Sequence, residues 1–134
     1  MKRFIKYWLP VAVWAGFIFF VSSLPNADIP SIFTYQDVLF HIFEYAFLAL
    51  LLNRALKNYQ SSLFNKSRRI LFVILTCLIY AISDEIHQNF VPGRESSLAD
   101  IIFDGLGIVL GSMIYPALSP KWRKITARKG GINR

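Results

Sequence analysis

The sequence predicts an all-α polytopic membrane protein, a four-helix transmembrane bundle with both termini cytoplasmic, and three observations predict it. Hydrophobic residues make up 54% of the 134-residue chain and charged residues 17%, against about a quarter charged in an ordinary soluble domain. The apolar residues gather into four segments near the length that crosses a bilayer. The basic residues fall between those segments, and basic and non-basic connections alternate along the chain. An open sheet cannot satisfy its edge groups in lipid, so the segments are read as helices.

The first segment, Tyr7 to Leu24, carries no charge. Lys2 and Arg3 before it and Val21-Ser22-Ser23 near its end give it a signal-peptide look. Its length, with Trp8, Pro10 and Trp14, suits an uncleaved anchor better. The second, Val38 to Leu52, is apolar apart from His41 and Glu44. The third, Ile70 to Ile82, reaches spanning length only if its helix continues through Asp84, Glu85 and His87 to about Phe90. The fourth, Leu98 to Tyr115, carries Asp100 and Asp104 near its start. The length allows one domain, here residues 1–120 as the membrane domain and residues 121–134 as a basic cytoplasmic tail.

Charge sets the expected orientation. Lys2, Arg3 and Lys6 precede the first span, Arg54, Lys57, Lys66, Arg68 and Arg69 lie between the second and third, and six more basic residues follow Pro120. The connection from Pro25 to Asp37 has none, and that between the third and fourth spans has only Arg94. The positive-inside rule assigns the basic connections to the cytoplasm. The net charge of +7 is thereby accounted for as a topology signal, and its scatter excludes a nucleic-acid stripe. Cys77 is the single cysteine, so neither an intrachain disulfide nor a cysteine-based zinc site is available.

With that topology, polar residues of three spans converge in the outer leaflet. Asp37, His41 and Glu44 share one face of the second helix. Asp84, Glu85, His87 and Gln88 end the third, and Asp100 and Asp104 begin the fourth. Pro92-Gly93 makes a turn that brings Arg94 over the helix ends, where its guanidinium suits a phosphate or carboxylate. Charged groups at membrane depth cost several kcal/mol unless paired, and by default mark a site. Candidate catalytic residues are therefore Glu44, Asp84, Glu85, His87, Asp100 and Asp104, and candidate substrate-binding residues are Asp37, His41, Gln88 and Arg94.

Two chemistries fit. His41-x-x-Glu44 and Asp84-x-x-His87 each offer nitrogen and oxygen at i, i+3, as metal sites in helical bundles do, which makes His41, Glu44, Asp84 and His87 the candidate ligands of a divalent metal. A histidine beside a carboxylate is also a general base without a metal. The competing structural reading treats the acids as solvated helix ends or as N-terminal acids of a helix. Gly107 and Gly111 continue the Asp100/Asp104 face as a GxxxG pattern that admits another helix, here or in a homo- or hetero-oligomer.

These residues together resemble the VanZ-like family. The resemblance is carried by Phe20-Val-Ser-Ser-Leu-Pro25, Asp37-x-x-x-His41-x-x-Glu44-Tyr45, Ser83-Asp-Glu-Ile-His-Gln88, Phe90-Val-Pro-Gly-Arg94 and Asp100-x-x-x-Asp104-x-x-Gly107-x-x-x-Gly111. It runs from about Trp14 to Tyr115, and Val38 and Ala99 stand where the family often has basic residues. It implies a cell-envelope membrane protein connected with tolerance to teicoplanin-type antibiotics, a phenotype without a reaction. The expected function is binding or modifying a membrane lipid or lipid-linked wall component from the outer leaflet of the cytoplasmic membrane. The alternative is a non-catalytic interaction or assembly protein with structural acids. A proton or cation pathway fits less well, because the cytoplasmic halves of the spans lack acids.

Overall fold

A computed structural model of the protein describes residues 1–25, 35–59, 64–94 and 97–118. The basic tail at 121–134 lies outside the described residues. Four helices follow one another: α1 (Lys2–Ser22), α2 (Gln36–Tyr59), α3 (Lys66–Gln88) and α4 (Leu98–Leu118). All four are long and apolar enough to cross a membrane, and the described residues contain no strand.

Two of the helices, α2 and α3, extend past both ends of the apolar runs that announce them. α2 continues through Asn53, Arg54 and Lys57 to Tyr59. α3 starts at Lys66, where the Asn65 side chain accepts a hydrogen bond from the Arg68 backbone N–H at 2.9 Å. It then runs on through Asp84, Glu85 and His87, as spanning length requires. A backbone group left unpaired in hydrocarbon costs several kcal/mol, so the helical ladder outruns the apolar stretch at both ends.

The helices alternate in direction. Arg3 of α1 donates to the Asn58 carbonyl near the end of α2, and Asn58 in turn donates to the Tyr115 hydroxyl late in α4. At the opposite end Ser22 meets Asp84 and His41 meets Asp104. One end of the bundle thus collects Lys2, Arg3, Lys6, Arg54, Lys57 and Lys66, and the other collects the acids among the described residues, Asp37, Glu44, Asp84, Glu85, Asp100 and Asp104.

The most extensive helix pair is α2 with α4, and its glycines explain why. A Cβ built on Gly107 would collide with the Ile42 carbonyl, and one on Gly111 with the Ala46 carbonyl. Only hydrogen at these two positions allows the backbones to approach this closely. The glycine face, which the sequence opens to another helix of this bundle or of an oligomer, receives α2 of the same chain. Around this contact Tyr45, Leu48, Leu52, Val73, Ala81 and Ile108 form the buried core. Leu75, Ile79, Ile82 and Ile86 of α3 and Phe19, Phe20, Phe40 and Phe43 point outward, an apolar exterior around a polar layer.

Candidate functional site

The layer starts from a property of helix geometry at the end of α3. Asp84 and Glu85 are adjacent, so their side chains leave the helix about 100° apart and meet different neighbours. Asp84 turns to α1, where Ser22 Oγ donates to its Oδ1 at 2.7 Å. Glu85 turns toward α4, where its Oε2 accepts from the Ser97 backbone N–H at 3.3 Å. Gln88, one turn further on, reaches both: its Nε2 lies 3.3 Å from Asp84 Oδ2 and 3.4 Å from Glu85 Oε1. Asp84, Glu85 and Gln88 are all buried.

Between α2 and α4, His41 Nδ1 lies 2.9 Å from Asp104 Oδ1. Asp104 is fully buried, and its second oxygen, Oδ2, has no hydrogen-bond partner among the described residues. One nitrogen of His41 and one carboxylate oxygen each of Glu85 and Asp104 all lie within 4.8 Å of one another. Three helices therefore place their polar groups around a single point. Glu44 and Asp100 stand at its margin, half-buried. Glu44 interacts electrostatically with His41, Asp84, Asp104 and Arg94, and Asp100 with His41 and Asp104.

Arg94 reaches the layer through the turn after α3. Gly93 has φ 74°, a left-handed conformation that glycine adopts without a Cβ penalty, and the Arg94 N–H closes the turn on the Val91 carbonyl at 3.1 Å. The Arg94 Nε is buried with no hydrogen-bond partner among the described residues.

Two residues expected at the site stand apart from this point. His87 faces α1, its Nε2 3.0 Å from Ser23 Oγ and its ring stacked on Phe19 with centroids 4.5 Å apart. Asp37 is exposed in the first turn of α2. The ligand set suggested by spacing, His41, Glu44, Asp84 and His87, shares only His41 with the trio that comes together. The 100° advance per residue selects Glu85 over Asp84, and the serine partner holds His87 at α1.

Three further residues join the layer that stand in the resemblance motifs but not among the candidate site residues. Ser22 and Ser23 bring α1 into it; both ended an apolar segment and read as a cleavage-like motif. Tyr45 is buried one turn deeper than His41, in electrostatic contact with Asp84 and Asp104, and its hydroxyl has no hydrogen-bond partner among the described residues. In the sequence it stands only as the last residue of the Asp37-x-x-x-His41-x-x-Glu44-Tyr45 motif. The basic end holds a polar node of its own. Arg69 Nε donates to Asn53 Oδ1 at 2.7 Å, and Asn53 Nδ2 donates to the Ser112 carbonyl at 3.1 Å. Arg69, counted in the sequence as a loop residue, is buried in α3.

Against this geometry, the VanZ/LLP1 family model matches residues 7–119, a span that contains every residue of the layer. No curated protein and no solved structure matches the chain.

Proposed function

The chain belongs to the VanZ/LLP1 family, and from that premise we propose that its acidic layer binds or modifies the headgroup of a membrane lipid or lipid-linked wall component. In this reading the protein lies in the cytoplasmic membrane with both termini inside, the layer opens to the outer leaflet, and tolerance to teicoplanin-type antibiotics follows from the altered envelope.

The observation that carries the reading is the His41–Asp104 pair at 2.9 Å beside buried Glu85. A carboxylate against Nδ1 fixes the imidazole, and with the Nδ1 proton donated to Asp104 the other ring nitrogen is the basic one. Such a histidine takes a proton from water or a hydroxyl as that oxygen attacks. Arg94 supplies a fork for phosphate oxygens at the rim, and the unpartnered Tyr45 hydroxyl supplies a donor below. The chain has no acid between Glu44 and Asp84 and none after Asp104, so its acids do not line a path across the membrane.

The test is lipid and wall-precursor profiling of a deletion strain complemented with wild type, Glu85→Gln or Asp100→Asn. The amides keep the volume and hydrogen bonding of the acids but neither titrate nor carry charge. Both variants are expected to accumulate in the membrane at wild-type level while leaving the same lipid or precursor unprocessed as the deletion does. Full activity in the amides would favour the assembly-protein alternative. Reporters fused after Lys57 and near Arg94 check the orientation, and an external signal at Lys57 would overturn it.

A further inference from the structure

We infer that His41, Glu85 and Asp104 form a binding site for one first-row divalent cation. The site shares residues with the proposed headgroup site, and an ion held by His41 takes over the water activation assigned there to the imidazole, so the two are tested by separate readouts.

Three arguments lead to it. The first is convergence: one imidazole nitrogen and two carboxylate oxygens, each from a different helix, lie within 4.8 Å of one another. A tetrahedral ion about 2.0–2.2 Å from each ligand holds its ligand atoms about 3.4 Å apart, a spacing reached by small side-chain rotations. The second is the unpartnered Asp104 Oδ2, on a residue with 0% exposure. A buried carboxylate oxygen without a donor is costly, and a cation at this point satisfies it. The third is charge. Glu44, Asp84, Glu85 and Asp104 place four carboxylates in one layer, with Arg94 as the permanently charged cation beside them. Neutralising buried carboxylates by a divalent ion removes the repulsion that their convergence creates.

The surroundings hold the ligands as metal sites require. Glu85 is oriented by the Ser97 N–H and by Gln88 Nε2, hydrogen bonds of the kind that fix a ligating carboxylate. Three protein ligands leave an open coordination position, the pattern of a catalytic and not a structural ion. One imidazole with two carboxylates suits Zn²⁺ or Mn²⁺ better than Mg²⁺ or Ca²⁺. His87 is excluded by its place against Ser23 and Phe19.

The full chain, purified in detergent without chelator, is expected to carry about one such ion, measured by mass spectrometry of metals. After chelator treatment, titration with Zn²⁺ or Mn²⁺ should raise its melting temperature. His41→Gln, Glu85→Gln and Asp104→Asn should each weaken the apparent affinity at least about tenfold, as loss of a ligand does, and His87→Gln should stay within about twofold. Should a ligand variant fail to accumulate, the Mn²⁺-loaded wild type still decides: pulsed electron paramagnetic resonance should detect coupling to a single imidazole. Absence of metal and of any melting shift would overturn the inference, as would a second coupled imidazole or equal dependence on His87. If the ion is absent while Glu85→Gln still blocks lipid processing, the ion alone is refuted. If the ion binds and the lipid profile never changes, the headgroup reading falls and the ion stands.

Discussion

The two ends of the bundle each bury polar side chains, and they do so in opposite ways. At the basic end, Arg69 gives its Nε–H to Asn53, and Asn53 gives its amide to the backbone of α4. The node ties α2, α3 and α4 with a neutral amide and a carbonyl, and no acid of the chain comes near it in sequence. At the acidic end, buried carboxylates outnumber the cations beside them; Asp104 Oδ2, Tyr45 Oη and Arg94 Nε have no hydrogen-bond partner among the described residues, but neither do Ser112 Oγ and Trp8 Nε1 toward the basic end. Burial of polar groups alone therefore does not mark a site here. Excess charge does, because a fold serving only stability has no reason to keep it.

Substitution at the node is expected to have the largest effect on stability. Asn53→Leu strands the Arg69 guanidinium in the core and should cost about 3 kcal/mol, the upper range for a hydrogen bond to a charged group. It should lower the melting temperature in detergent while leaving activity per folded molecule intact. Asn53→Leu combined with Arg69→Met should recover most of the loss, since an apolar replacement of a buried polar set is often neutral or better. If the double variant is stable but inactive, the node is functional and the contrast between the ends collapses.

At the acidic end the signs should reverse. Asp104→Asn keeps the shape of the side chain and removes a buried charge, so the melting temperature of the chelator-treated protein should hold or rise, while the proposed headgroup activity should fall about 100-fold. A variant destabilised in proportion to its loss of activity would show that Asp104 serves the fold. Arg94→Lys retains the charge without the planar fork and should lower activity about tenfold, read as weaker binding in a dose series of the antibiotic or lipid. Asp37→Asn, at an exposed position, should change both readouts least, by no more than about 0.5 kcal/mol in stability. A larger effect there would extend the site to the start of α2.

Much of this molecule was legible in its residues. Hydropathy determines four helices because lipid tolerates no unpaired backbone, and every helix lies where an apolar run announced it. Gly107 and Gly111 pointed to a close helix contact, and their period with Asp104 already placed that contact on the acidic face. Polar residues within apolar segments marked the layer, since their presence at that depth has a cost that composition alone reveals.

What only the tertiary structure decided is which neighbour each polar group meets. Helical spacing ranks residues along one face, but it does not say which of three surrounding helices that face addresses. Asp84 and Glu85 are one residue apart, and rotation about the α3 axis sends the first to Ser22 and the second toward His41 and Asp104. The same rotation takes His87 to Ser23 and Phe19, away from the ligand set that spacing suggested. Asn53, Arg69 and Ser112 are remote in sequence and unremarkable one at a time; only packing brings an arginine read as a loop cation against an amide about one and a half helical turns past the middle of α2. The sequence by itself determined that polar groups must be buried at one end of a membrane bundle. The packing of α1, α2 and α4 around α3 decided their partners, because those partners depend on rotations that no local pattern encodes.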